Sequence, residues 1–155
     1  MDSVREVGRY AEKSGVLLAI EPINRYETYL INSVDRALEF MEEVGVEGVK
    51  VMADTFHMNI EDTSLEGAIR KAGKNLIHMH VTDSNRRAVG RGHIDFKEIL
   101  RALKEIDYRG SLAMEPLPPL ANPYLALRGK ISREFLDSSV EECITLLKMY
   151  EGVIQ

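Results

Sequence analysis

One cysteine, no apolar run approaching the ~20 residues of a membrane span, and no dense cluster of lysine and arginine: these scarcities narrow the sequence before any motif is read. A lone thiol, Cys143, permits no intrachain disulfide framework, which points to a reducing, intracellular setting. Its helical spacing with Val140, Ile144 and Leu147 marks it as a buried, inert thiol rather than a nucleophile. With neither a span nor a signal-peptide core, the expectation is no membrane and a cytoplasmic location. Twenty basic side chains face 25 acidic ones, for a formal net charge of -5. No face gathers enough positive charge to displace counterions from a phosphate backbone, so the expected partner is a small molecule and not nucleic acid.

What is present is the composition of one soluble globular domain with a real core, 45% hydrophobic and 29% charged. Val4, Val7 and Ala11 form the stripe of an opening helix that Gly15 stops before a strand at 16 to 21. A second helix follows Ser33 through Val34, Ala37, Leu38, Met41 and Val44, and a third follows Thr63 or Ser64 through Leu65, Ala68, Ile69 and Ala72. Asp95 and Glu98 resemble a capping box for a fourth helix, and Phe135, Leu136, Val140, Cys143, Ile144 and Leu147 mark a fifth. The intervening strands are short and nearly continuous in apolar residues, as suits parallel strands covered by helices. The reading is an α/β chain, one helix followed by (βα)4. Loops at 22 to 32, 55 to 63, 82 to 94 and 116 to 131 are long and polar, the kind that carries function.

Four strand-like runs end in, or contain near their ends, Glu21, Asp54, His80 and Glu115. Right-handed crossovers would bring all four to one rim of the sheet. Three carboxylates and one imidazole suit a divalent metal with open positions, Mn²⁺ first, Mg²⁺ or Co²⁺ as alternatives, Zn²⁺ less so. The bland alternative is four strand-end groups that merely meet water. Ala19-Ile20-Glu21-Pro22-Ile23 is echoed by Ala113-Met114-Glu115-Pro116-Leu117, each proline holding its glutamate extended at a strand tip. Small Ala19 and Ala113 lie one step deeper on the same face. His78 shares the face of His80 and is either a supporting residue behind the site or a core histidine. His57 tops the site and is expected to contact substrate; His93 precedes a helix and is expected to be structural. Gly90-Arg91-Gly92 is no dinucleotide fingerprint, since the third glycine and the strand-turn-helix setting are missing.

The runs Ala19 to Glu27, Asp54 to Asn59, His78 to Arg86 and Met114 to Pro116, taken together and in order, resemble the motif series of the xylose isomerase-like TIM barrels, and within them the D-tagatose 3-epimerase (D-psicose 3-epimerase) group. The resemblance implies Glu21, Asp54, His80 and Glu115 as metal ligands, Glu21 and Glu115 as the catalytic pair, and Glu27, His57 and Arg86 as substrate contacts. It implies a ketose as substrate. The residue types suit that chemistry: with charge stabilised on an enediolate, one glutamate takes the C3 proton and the other returns one to the opposite face. For Arg86 a solvated loop charge or a salt bridge to Asp83 is the alternative.

The chain matches only the C-terminal half of that family, since a TIM barrel has eight strands and typically about 250 residues. Residues 1 to 155 are therefore read as a single half-barrel domain. Such a half would expose two unpaired edges and one apolar inner face, so association is expected, as a homodimer or by pairing with an N-terminal half barrel. The competing readings are hydroxypyruvate isomerase, inosose dehydratase, an AP endonuclease, disfavoured by only four histidines and no basic face, and a non-catalytic half barrel.

Overall fold

The computed structural model describes residues 1–118 and 133–154. Its order is α1 (Asp2–Lys13), β1 (Leu18–Ile20), α2 (Val34–Val44), β2 (Val49–Asp54), α3 (Thr55–Glu61), α4 (Leu65–Ala72), a short 3-10 turn (Gly73–Asn75), β3 (Leu76–Val81), α5 (Phe96–Glu105), β4 (Ser111–Met114) and α6 (Arg133–Val153). Among the described residues four strands form one parallel sheet in sequence order, and there β1 and β4 each pair on one side only. This is part of a barrel, the α(βα)4 arrangement the apolar pattern predicts. The loop expected at 116 to 131 lies outside the described residues from 119 onward.

The helices begin where short polar side chains can take up free backbone N–H groups. Ser33 accepts from Arg36 N, Ser64 from Gly67 N, and Asp95 from both Lys97 N and Glu98 N. Each such cap stabilises its helix by ~1 kcal/mol. Three expectations need correction. The first strand is shorter than 16 to 21, because Val16 and Leu17 are 57% and 53% exposed and precede the paired segment. The buried residue of α1 is Gly8, not Val7; a Cβ on Gly8 would come within 2.7 Å of Val49 Cγ2, so its bareness lets the helix approach the sheet closely. The loop expected at 55 to 63 is mostly the helix α3, whose first turn Asp54 caps by accepting from Phe56 N at 2.8 Å.

One face of the sheet meets the helices. Ile20, Val51, Ala53, Met79 and Leu112 pack with Val34, Leu38, Met58, Ile69, Ile99 and Leu103 in the main core. A second cluster joins Val81, Val89 and Phe96 to Cys143 and Leu147 of α6. Burial pushes the Cys143 thiol up, which keeps it protonated and inert, while Val89 N points at its sulfur at 3.3 Å. Alternation leaves Ala19, Lys50, Met52, His78 and Ala113, with the candidate ligands, on the opposite face. That face is mixed and small-residued rather than apolar, a departure from expectation: functional groups fill positions where an ordinary sheet would carry core.

One irregularity decides what that face presents. Val51 pairs with Leu76 but Met52 pairs with His78, so Ile77 is an extra residue in β3. After it Asp54 pairs with His80 and His80 with Ala113, all on the inner face. Gly110 makes room for this bulge, since a methyl there would collide with the Ile77 carbonyl oxygen and the Tyr108 side chain. Behind the sheet, Asp62 at the end of α3 accepts from Val34 N, the first residue of α2, at 3.3 Å. Its second oxygen is buried with no hydrogen-bond partner among the described residues, and burial pushes its carboxyl up to about 6. No helix among the described residues is long and apolar enough to cross a membrane.

Candidate metal centre

The four strand ends converge. Glu21 Oε1 and Glu115 Oε1, from opposite edges of the sheet, each lie 3.3 Å from the same nitrogen, Nδ1 of His80. Asp54, His80 and Glu115 offer ligand atoms all within 4.8 Å of one another, and so do Glu21, Asp54 and His57. Asp54 belongs to both groups and is 1% exposed. Backbone pairing carries the rim beyond the last strand, as Glu115 N donates to Val81 O at 3.3 Å. Thr55 clamps the tips of β2 and β3, its hydroxyl donating to Thr82 O at 2.6 Å and accepting from Thr82 N at 3.0 Å.

The two oxygens of Asp54 have separate duties. Oδ1 caps α3, while Oδ2 accepts from the Arg86 guanidinium at 2.8 Å. Arg86 reaches Glu115 Oε2 as well, at 3.1 Å, and stacks over Phe56 at 4.8 Å from the ring centroid. It therefore pairs with two candidate ligands and not with Asp83, which corrects the salt-bridge alternative. Its backbone is left-handed, φ +62, a conformation with a steric cost in any residue bearing a Cβ. Arg86 N to Asp83 O and Leu117 N to Arg86 O, both 2.8 Å, hold it there. Burial pushes the Glu21 carboxyl above the ordinary carboxylate range; Asp54 and Glu115 add to this, and His80 and Arg86 oppose it.

His57 is buried, with Nε2 facing Asp54 Oδ2 at 3.7 Å and Nδ1 facing Glu27 Oε1 at 3.9 Å. Burial holds its imidazole below the usual value, with Arg86 acting in the same direction and Asp54, Glu27 and Glu115 opposing. Glu27, on the exposed side of its turn, joins His57 through Asn24, whose amide nitrogen lies 2.7 Å from both Glu27 Oε1 and His57 Nδ1. Sequence reasoning missed Asn24, although Asn24-x-x-Glu27 after a strand is turn spacing in which an amide meets a carboxylate. It also missed Asp83, 1% exposed, which gathers its loop by accepting from Ser84 N, Gly90 N and Ile94 N. His93 is structural as expected, bonded to Ser84 Oγ at 3.0 Å and Asn59 Oδ1 at 3.1 Å, which ties that loop to α3. His78 sets its ring edgewise on His80, centroids 5.1 Å apart. Arg25 forks onto Glu61 and ties the β1–α2 loop to α3.

The donor set fits a divalent cation. His80 Nδ1 is buried, has no hydrogen-bond partner among the described residues, and is flanked by two carboxylate oxygens. A buried ring nitrogen with no hydrogen bond of its own, set between two carboxylate oxygens, is a place that a cation can fill, and an oxygen-rich set with one imidazole suits a divalent ion.

Residues 1–129 match the family described as xylose isomerase-like TIM barrel. Over 116 residues the chain is 50% identical to D-psicose 3-epimerase of Ruminiclostridium cellulolyticum, a match spanning 75% of this chain and 40% of that protein. Over 114 residues it is 46% identical to D-psicose 3-epimerase of Enterocloster bolteae, spanning 74% of this chain and 38% of that one. A solved structure of D-psicose 3-epimerase with D-tagatose, from Clostridium cellulolyticum, superposes with a TM-score of 0.85 at 38% identity, covering 96% of this chain and 54% of the other. The chain thus spans about two-fifths of the length of the curated relatives it matches.

Proposed function

Because the chain belongs to the xylose isomerase-like TIM barrel family, we propose that it carries the metal and acid-base half of a ketose 3-epimerase. The observation that carries this reading is the approach of Glu21 and Glu115, from the first and last strands, to one imidazole nitrogen. Glu21, Asp54, His80 and Glu115 would hold a divalent cation, Mn²⁺ by preference. When bound, that ion supplies positive charge that offsets the negative charge developing on the sugar oxygens as the carbon between them is deprotonated.

The chain's own residues do the rest. Glu21 and Glu115 stand on opposite sides of the site, so one takes the C3 proton and the other delivers a proton to the opposite face, which inverts the centre through an enediolate. Arg86 and His57 donate to oxygens that gain charge, and Glu27 accepts from a sugar hydroxyl. The stacking of Arg86 on Phe56, beside the two carboxylates that it pairs with, supports this role. The names of the relatives, D-psicose 3-epimerase in both cases, support a free ketose as substrate. The lone buried thiol fits a reducing cytoplasm.

The test is C3 proton exchange in D2O with psicose, fructose and tagatose in the presence of Mn²⁺. Deuterium entering at C3, abolished in Glu115→Gln, supports the epimerase; deuterium at C1 replaces it with aldose-ketose isomerisation; cleavage of abasic DNA without sugar exchange makes it an endonuclease.

A second reading rests on the unpaired edges of β1 and β4. In it the chain is a half barrel that turns over only when completed, by a second copy or by a separate N-terminal half barrel. A monodisperse monomer that binds Mn²⁺ yet exchanges nothing favours that reading over an active isolated chain.

A further inference from the structure

We propose that Asn24 is a positioning residue that fixes His57 as the neutral tautomer protonated on Nε2, so that His57 meets the site as a hydrogen-bond donor. Asn24 is 1% exposed, and every polar atom it has is engaged. Its side-chain oxygen accepts from Tyr26 N at 3.0 Å, and its carbonyl oxygen accepts from Glu27 N and Thr28 N at 3.0 and 3.2 Å. Its amide nitrogen faces Glu27 Oε1 and His57 Nδ1, both at 2.7 Å.

These partners leave the amide one orientation. Turned over, it would set its oxygen against the Glu27 carboxylate and its NH2 against the Tyr26 N–H, trading two bonds for two repulsions. An ionised carboxylate accepts only, so one amide hydrogen goes to Glu27 and the other to His57 Nδ1. The backbone N–H of Asn24 points at the same ring nitrogen from 3.4 Å. A nitrogen that receives two donors carries a lone pair, and the single proton of a neutral imidazole then sits on Nε2. Nε2 lies 3.7 Å from Asp54 Oδ2, beyond hydrogen-bond reach, so its N–H remains free for a group entering the site.

Two consequences follow. An imidazole with a proton on Nε2 and a donor pair on Nδ1 offers no lone pair to a cation. The tautomer therefore removes His57 from the candidate ligands and favours the group of Asp54, His80 and Glu115 over that of Glu21, Asp54 and His57. The second consequence, that the Nε2 proton is offered to a sugar oxygen, rests on the epimerase reading; the tautomer itself does not.

The experiment is a long-range 1H–15N correlation spectrum of the chain labelled at histidine, free of metal and sugar, with the His57 ring assigned by its loss in His57→Gln. The expected pattern is a protonated Nε2 and an unprotonated Nδ1. In Asn24→Asp, where acceptors replace the amide donors, Nδ1 gains a proton, whether or not Nε2 keeps its own; if that variant does not fold, Asn24→Ala is expected to show a mixture of the two tautomers. A wild-type ring protonated on Nδ1, or a wild-type pattern kept in a folded variant, overturns the proposal. Because no turnover enters this measurement, it fails or stands separately from C3 exchange.

Discussion

Arg86 is the cation that Asp54 and Glu115 hold in this structure, and any metal ion must draw the same carboxylates away from it. Removing the guanidinium removes the competitor. Arg86→Ala is therefore expected to bind Mn²⁺ more tightly in the absence of sugar, by about tenfold (~1.4 kcal/mol), while losing sugar exchange; calorimetric titration of both proteins with Mn²⁺ alone checks this, and weaker binding counts against the competition. Asp62 gives a pH-dependent prediction. Its carboxyl moves from 3.8 to about 6 on folding, chiefly by burial, so the folded chain holds that proton more tightly than the unfolded one. Stability from this group is complete below 3.8 and is lost as the pH rises to about 6, where a buried anion must be tolerated. Asp62→Asn keeps the acceptor for Val34 N without the charge. Its gain in melting temperature over the parent should grow from about pH 4 to about pH 6 and level off above; a constant difference across that range rejects the account. None of this was legible in the residues: Asp62 sits in a polar stretch, and only the burial of one oxygen sets it apart from Glu61, which Arg25 holds below the ordinary carboxylate range.

At the scale of elements, the helix starts were readable because Ser33, Ser64 and Asp95 supply caps in sequence and the apolar stripe follows at once. The helix α3 was not. Its cap is Asp54, already counted as the end of a strand, and its seven residues are too few for a period of 3.6 to show. Strand-end identity carried the four converging residues, yet alternation alone would not have put His80 beside Asp54, because the register shifts at Ile77. A strand without that extra residue would set Met79, not His80, opposite Asp54. Gly110 is the neighbour that makes the shift possible. Gly110→Ala is expected to cost ~1–3 kcal/mol by overpacking against the bulge and to weaken Mn²⁺ binding as His80 moves; chemical denaturation with and without Mn²⁺ separates the two effects, and a variant of parental stability would show that the bulge has other room.

For the whole molecule, the resemblance of four ordered motifs gave fold and family together, and the partial barrel followed from counting four strands. What the sequence could not convey was the character of the inner face, where Lys50, His78 and the ligand candidates replace the expected apolar lining. Exposed apolar side chains lie instead on the flanking helices and beside the first strand, Val7, Tyr10, Val16 and Leu17 at one end and Met149 and Val153 at the other, and we propose these as the surface through which the chain would associate. Sedimentation velocity is expected to give a mass above that of one chain, and Tyr10→Lys, on a residue 72% exposed, to shift it downward without loss of folded structure. An unchanged monomer in both proteins would place the solvent-facing apolar side chains outside any assembly. Glu21 and Glu115 follow directly on those same two end strands. Whatever docks against the sheet docks beside Glu21 and Glu115, so under the proposed reading catalytic competence and assembly should obey one concentration law: the rate per chain falls on dilution and recovers on mixing, as for an enzyme whose two proton-handling groups are held apart by walls it borrows.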